Sequence, residues 1–116
     1  MERASTYRMT EQPHAKINVA ADFSKFPAGR YLNDGKFSGE AFRERLVSLL
    51  AAGKKVLVEL DGTYGYGSSF LEEAFGGLVR VCKFSSAELH KRLDIETKSQ
   101  NLKKEVWSYI DGAKPS

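Results

Sequence analysis

The sequence predicts one small α/β domain, and three observations support this prediction. The nearly unbroken apolar run Val56–Leu60 is typical of a strand that is buried on both faces of a parallel sheet. An amphipathic helical pattern precedes this run, and a second one follows it after a glycine-rich turn. Helix, buried strand, glycine turn and helix is the order found in βαβ units, which build parallel sheets.

Composition limits the classes of function. The chain has 116 residues, 41% apolar and 28% charged, which fits a single globular domain. No apolar run approaches the roughly 18 residues of a membrane span, and the first residues lack the apolar segment of a secretory signal. With the lone Cys82 unable to form an internal disulfide, we expect a cytoplasmic protein. The net charge of +3 is spread among acidic residues, so neither nucleic acid nor a membrane is favoured as a partner, and the oligomeric state stays open.

The first half of the chain divides at its turn residues. Residues 1–14 are polar and aperiodic, and we expect a flexible arm there, with the domain over 15–112 and a tail over 113–116. Alternating residues from Ile17 to Ala21 predict the first strand, and the turn signals that follow are compatible with a hairpin to a short extended piece at 30–32.

The first predicted helix has clear boundaries. Ser38 is expected to be its N-cap, Phe42 and Leu46 lie on its apolar stripe, and Gly53 is expected to end it in a left-handed conformation.

The second half repeats the alternation of helix and strand. A helix is predicted from Ser69 to Val81, with Gly76 and Gly77 either in close contact with the sheet or acting as a hinge. We expect a short helix capped by Ser85 or Ser86, with His90 among its inward-facing residues, then an edge strand over 93–97. A last helix is expected to begin at Ser99 and to stop at Gly112.

The connection after the central strand is the candidate site. Asp61 leads into a turn that contains Gly62, Gly65 and Gly67, and Ser68 and Ser69 then open the next helix. Ser69 and Glu72 match a capping box, which would explain one serine as a helix cap. The alternative is a regulated phosphosite, because a phosphate at a helix start is stabilised by free N–H groups and the helix dipole.

Established catalytic motifs do not fit this loop. A Walker loop needs a Lys after the last glycine, and the dinucleotide pattern fails because Phe70 occupies its last glycine position. The nucleophile elbow fails at Leu71, and His90 is interpreted as an ordinary helix histidine. Glu72 and its neighbour Glu73 are expected to serve as a cap and a solvated charge. We therefore expect no catalytic residue, no metal site and no cofactor.

Two segments resemble a known family. The segments are Gly35–Arg43 and Asp61–Arg80, which includes the run G-S-S-F-L-E-E-A-F-G-G-L, and Pro27–Tyr31 fits as well. This likeness extends over about residues 15–111 and is to the bacterial STAS-like family of unknown function. It implies the STAS fold of sulfate transporters and anti-sigma factor antagonists, a small single domain with a mixed sheet and helices mainly on one face.

The resemblance also implies a regulatory mechanism. In anti-sigma factor antagonists the corresponding loop reads D-S-S-G, and a partner kinase of the histidine-kinase-like ATPase type phosphorylates its second serine. Only the unphosphorylated form binds that partner. Ser68 and Ser69 match the two serines, with Ser69 as the modified one, while Gly67 replaces the acid and Phe70 replaces the glycine.

The hypothesis from the sequence is a non-enzymatic interaction domain that acts in partner switching. Tyr64 and Tyr66 are expected to anchor a protein partner on the loop that ends at Phe70. Arg30 and Asp61 form either an ordering charged pair or two solvated charges. The alternative function is binding of a small ligand, nucleotide or anion by the same loop and helix start.

Overall fold

Three short strands form the centre of the structure, a computed structural model that describes residues 15–114. They are β1 (Ala15–Asn18), β2 (Val56–Glu59) and β3 (Leu93–Glu96), in the order β1-β2-β3. Both neighbouring pairs are parallel. The α/β prediction and the edge position of β3 are confirmed. The resemblance implied a mixed sheet, but the strands within 15–114 all run the same way, and the expected arm at 1–14 lies outside the described residues.

The sheet buries one face only. On β2, Val56 and Val58 are buried, whereas Leu57 and Glu59 are partly exposed. The strands β1 and β3 alternate with the same period, so all buried strand residues point to one side. The expectation that Val56–Leu60 is buried on both faces is wrong, whereas helices on one face, as the resemblance implied, are confirmed.

Residues 15–114 contain four helices besides the short turns, and they pack on the buried side of the sheet or on one another. They are α1 (Gly39–Ala51), α2, α3 (Ser86–Arg92) and α4 (Gln100–Gly112). In α2, the α-helical segments Ser68–Leu71 and Gly77–Arg80 flank the π-helical turn Glu72–Gly76, and the chain stays helical throughout.

Serine caps and a glycine set the helix ends that the sequence predicts. The hydroxyl oxygens of Ser38, Ser85 and Ser99 each accept a hydrogen bond from the backbone N–H three residues on, at 3.2, 3.0 and 3.1 Å. Gly53 follows α1 with a φ of 80°, a left-handed conformation in which glycine lacks the steric cost of a side chain. These predictions are confirmed.

The first strand ends at Asn18 rather than at Ala21 as predicted, and the hairpin that the turn signals allowed does not form. The Asn18 side chain accepts a hydrogen bond from Ala21 N at 2.9 Å, and Asp22 accepts one from Asn18 N at 2.8 Å. These local bonds turn the chain into the π-helical turn Val19–Phe23. Further on, Leu32–Asp34 forms a 3₁₀ turn rather than a strand.

The core lies between the sheet and the helices, and α2 contributes more buried side chains than any other described element. The core consists of the buried apolar residues of the strands, the helices and the segments next to them: Ile17, Val19, Phe42, Leu46, Leu50, Val56, Val58, Leu60, Phe70, Leu71, Ala74, Phe75, Leu78, Val79, Leu89, Leu93, Ile95, Val106 and Ile110. Because α2 begins at the end of the loop after β2, this burial fixes the position of the candidate site.

Candidate functional site

The loop after β2 is fixed at its first residue. Asp61 accepts hydrogen bonds from Thr97 Oγ1 at 2.6 Å and from Lys98 N at 2.9 Å. The bond from Thr97, followed by that from Lys98, lowers the pKa of Asp61. The loop is therefore tied to the connection that follows β3, and Asp61 does not pair with Arg30.

Two glycines give the loop its course. Gly62 and Gly65 have φ values of 105° and 135°, which side chains rarely adopt. Gly67 has a φ of −77° and is the residue that precedes α2. The prediction of a tight turn from the sequence is confirmed. Of the three glycines, Gly62 and Gly65 have a positive φ that favours glycine.

Tyr66 faces inward and stabilises the loop. Its hydroxyl donates a hydrogen bond to the carbonyl oxygen of Leu60 at 2.6 Å, and its ring lies 5.9 Å from that of Phe70. Burial raises the pKa of Tyr66 to about 12. Because both the ring and the hydroxyl are engaged, Tyr66 is not an exposed anchor, in contrast to the expectation from the sequence.

Tyr64 is exposed and pairs with an aromatic residue that the sequence reasoning missed. Its side chain is 78% exposed and stacks on Phe26, which is 66% exposed, with ring centroids 4.7 Å apart and planes 5° apart. A backbone hydrogen bond joins the two segments beside this stack, since Tyr64 N donates to Lys25 O at 2.9 Å. The signal that could have indicated Phe26 is an aromatic residue directly before the Pro27 turn.

Both serines lie in solvent at the start of α2. Ser68 and Ser69 are exposed, whereas Phe70 is buried and packs among Phe23 and Phe42. The inward position of Phe70 leaves the two hydroxyls accessible. It also makes Phe70 part of the core rather than of a contact surface.

The predicted capping box at Ser69 is wrong. Gly67 is the N-cap, with an extended ψ of 153°, and no described side chain caps the helix there. Ser69 therefore lies in the first turn, one residue after Ser68, and its hydroxyl is free of a capping role. Glu72 bonds to arginines instead.

Three arginines and two glutamates form an ion-pair cluster on α2. Arg30 Nη1 lies 2.5 Å from Glu72 Oε1 and 3.1 Å from Glu73 Oε1. Arg80 also binds both carboxylates, and Arg43 Nη1 lies 2.5 Å from Glu73 Oε2. The expectation that these glutamates act as a cap and a solvated charge is wrong, because both carboxylates pair with Arg30 and Arg80.

Burial differs strongly within this cluster. The side chains of Glu73 and Arg43 are 4% and 8% exposed, whereas those of Glu72 and Arg30 are 26% and 31% exposed. Burial by itself would raise the pKa of Glu72, but the hydrogen bonds from Arg80 and Arg30 hold it below its ordinary value. The cluster thus has a buried half and a half open to solvent.

Three glycines leave room for the close contacts among α1, α2 and the ion-pair cluster. A Cβ on Gly39 would collide with the Phe70 carbonyl oxygen, and a Cβ on Gly77 would collide with the Arg43 guanidinium. At Gly76 it would lie 2.8 Å from Glu72 Oε2. Close contact was one of the two expectations for Gly76 and Gly77, and it is realised against side chains of the cluster rather than against the sheet.

A second polar cluster lies away from the loop. Ser86 Oγ donates to Asp111 Oδ1 at 2.5 Å, and His90 Nε2 lies 2.8 Å from the same oxygen. The bond from Ser86, then that from His90, lowers the pKa of Asp111. His90 is exposed and stacks on Trp107, so its expected inward position is wrong. Ser86 bonds to the carboxylate of Asp111 rather than to the imidazole of His90, so it is not arranged as a nucleophile beside a general base.

The described residues contain neither a metal-ion cluster nor a membrane-spanning helix, and an open cleft lies at the strand ends. Within 15–114, no group of three or more His, Cys, Asp and Glu side chains is placed to hold a metal ion. No helix in that part of the chain has the length and apolar character to cross a membrane. An open cleft of about 250 Å³ lies where the three strands end, lined by Asn18, Glu59, Asp61, Glu96, Thr97 and Lys98.

Comparison with known protein families identifies a matching family model. A family model described as "STAS-like domain of unknown function (DUF4325)" matches residues 38–103, which include α1, β2, α2 and the loop between them. Searches of the curated proteins and of the solved structures returned no significant match.

Proposed function

Because the chain belongs to the family of STAS-like domains of unknown function, we propose that it is a non-enzymatic interaction domain that switches partners by phosphorylation. Ser69 is the switch residue, and Ser68 is the second candidate. The partner is a protein kinase of the histidine-kinase-like ATPase type, which transfers the γ-phosphoryl group of ATP to Ser69 Oγ and releases ADP and a proton. The unphosphorylated form binds the partner.

The observation that carries the proposal is the exposure of the first turn of α2. Ser68 and Ser69 are both open to solvent because Phe70 turns into the core. A kinase needs a hydroxyl that it can reach, and a phosphate there would meet the positive end of the helix. The absence of a capping hydrogen bond from Ser69 is consistent with this role.

A contact surface is available on the same loop. The Phe26–Tyr64 stack exposes two large aromatic side chains, and rigid aromatic rings are enriched among residues that dominate binding energy. Tyr64 precedes Ser68 by four residues. We expect a partner that covers this stack to reach the serines as well, so that a phosphate would change the surface that the partner meets.

The test compares four proteins as baits for affinity capture: wild type, Ser69→Ala, Ser69→Glu and Ser108→Glu. Ser108 is exposed on α4 and provides a matched control for added charge. We expect one partner to bind wild type, Ser69→Ala and Ser108→Glu but to be lost from Ser69→Glu. Tyr64→Ala should weaken the binding of the same partner. Equal recovery with all four baits would show that Ser69 is not a switch.

The ligand-binding alternative uses the same helix start in another way. Because no described side chain caps α2 at Gly67, its first N–H groups could bind a small anion. The cleft at the strand ends does not favour an anion, since Glu59, Asp61 and Glu96 line it. A phosphate-dependent rise in melting temperature that Ser69→Glu removes and Ser108→Glu retains would support this alternative.

A further inference from the structure

We propose that the Arg30 guanidinium receives a phosphate on Ser69 and gives up its contact with Glu72 to do so. The inference rests on the proposed function in one respect, since it assumes that Ser69 is the modified residue. It adds an internal receptor for the phosphate, so that the domain itself responds to modification before any partner binds.

The backbone places Arg30 beside the first turn of α2. Gly39 N donates to Gly29 O at 2.9 Å, and Glu40 N donates to Arg30 O at 2.9 Å, so the Arg30 backbone is fixed to the start of α1. Gly39 in turn lies against the carbonyl oxygen of Phe70, the residue after Ser69. With its backbone fixed there, Arg30 has only to turn its side chain to change partners.

Helix geometry brings one of its present partners close to Ser69. The N–H of Glu72 donates to the carbonyl oxygens of Ser68 and Ser69, so the spacing up to Glu72 is that of a regular helix. Residues three apart in such a helix have Cβ atoms about 5–6 Å apart on one face. Helical side chains also lean towards the N-terminus, which here is the Ser69 end. Because Arg30 Nη1 lies 2.5 Å from Glu72 Oε1, we infer that its guanidinium is within reach of a phosphate on Ser69.

Arg30 can leave this cluster without leaving either glutamate unpaired. If it turns away, Glu72 keeps Arg80, and the buried Glu73 keeps both Arg80 and Arg43. No carboxylate is then left without a partner, which is the expensive outcome in a buried cluster.

The charges and the donors also fit a phosphate. The cluster holds three arginines and two glutamates, so it has one positive charge in excess. Both side-chain hydrogen bonds that Arg30 makes to described residues come from Nη1, and its side chain is 31% exposed. A guanidinium can bind phosphate oxygens through two N–H groups at once, which favours phosphate over a single carboxylate contact.

The test is a phosphorus NMR titration of the purified domain with phosphoserine incorporated at position 69. A free phosphoserine has a second pKa of about 6, and an arginine partner should lower that value by about one unit. The matched control carries phosphoserine at position 108, on the exposed face of α4, and should titrate near the free value. In Arg30→Gln the lowering at position 69 should be largely lost, and in Arg30→Lys it should be partly restored.

Two results would overturn the inference. One is a phosphate at position 69 that titrates like the control, and the other is an equal lowering with and without Arg30, which would mean that the helix start alone is responsible. If Arg30→Gln does not fold, the nitrogen resonance of the Arg30 side chain in the otherwise unchanged protein gives the answer, because it must shift across the same titration. An unshifted resonance would also contradict the inference. All these readings need no partner, so a failed capture experiment would overturn the proposed function alone.

Discussion

The ion-pair cluster on α2 allows a direct comparison of two adjacent glutamates. Replacing either Glu72 or Glu73 by Gln removes one negative charge and keeps the shape of the side chain. The two differ in burial, with side chains 26% and 4% exposed. Loss of one partner from a buried pair costs about 3–5 kcal/mol, whereas an exposed pair contributes about 0–1 kcal/mol.

The contacts that remain determine the size of each effect. In Glu73→Gln, Arg43 stays buried but loses its charged partner. It keeps its hydrogen bond to the backbone carbonyl oxygen of residue 73, at 2.9 Å. We therefore expect a loss of about 3 kcal/mol. In Glu72→Gln, Arg30 and Arg80 both keep Glu73, each at 3.1 Å, and we expect a loss of about 1 kcal/mol.

Urea unfolding at neutral pH measures this difference. With a slope of about 1.5 kcal/mol per molar urea, the midpoint should fall by about 2 M for Glu73→Gln and by about 0.7 M for Glu72→Gln. Circular dichroism and the fluorescence of Trp107, the single tryptophan, should give the same midpoints. Equal losses for the two variants would refute the argument that burial determines the cost of breaking a pair in this cluster.

Two further predictions concern the loop and the packing of α1 on α2. Tyr66→Phe should cost about 1 kcal/mol by removing one hydrogen bond. The pKa of Tyr66 is raised to about 12 in the folded protein. The extra stability of the wild type over Tyr66→Phe should therefore be complete below the ordinary tyrosine pKa of about 10, and it should be lost as the pH rises through the pKa of folded Tyr66. Titration of Tyr66 together with the exposed tyrosines in an ultraviolet absorbance scan would contradict this. Gly39→Ala should lower stability by about 1–3 kcal/mol, since backbone atoms of α2 occupy the space of its methyl group. Gly112→Ala, with open space in the described structure, should be neutral or slightly stabilising by calorimetry, and equal effects of the two alanines would show that the close approach is not rigid.

Local patterns in the sequence were sufficient for the starts of three helices and for the parallel sheet. The serine caps of α1, α3 and α4 follow from a hydroxyl placed before an apolar stripe, and the parallel sheet follows from the order of helix and strand. The exposure of one face of β2 could not be read from Val56–Leu60, because a short apolar run looks the same whether one face or both are covered. Glu59 was the residue in that run that pointed to an exposed face.

Longer-range contacts determined what the sequence could not predict at the site. Ser69 and Glu72 have the spacing of a capping box, but the extended backbone at Gly67 starts the helix one residue before Ser69. Glu72 instead meets Arg30, which lies 42 positions away in the chain. Nothing in the local pattern identifies that partner, and the same limitation applies to the stacking of Phe26 on Tyr64.

The π-helical turn in α2 contains one residue more than the α-helical turn that it replaces. Its five residues turn the chain about as far as four residues of a regular α-helix, so the segments before and after it keep the angular phase of one continuous helix. Phe70 and Leu71 before the turn and Leu78 and Val79 after it therefore all face the core. A one-residue deletion that restores a regular helix would thus leave Ser69 pointing in its present direction.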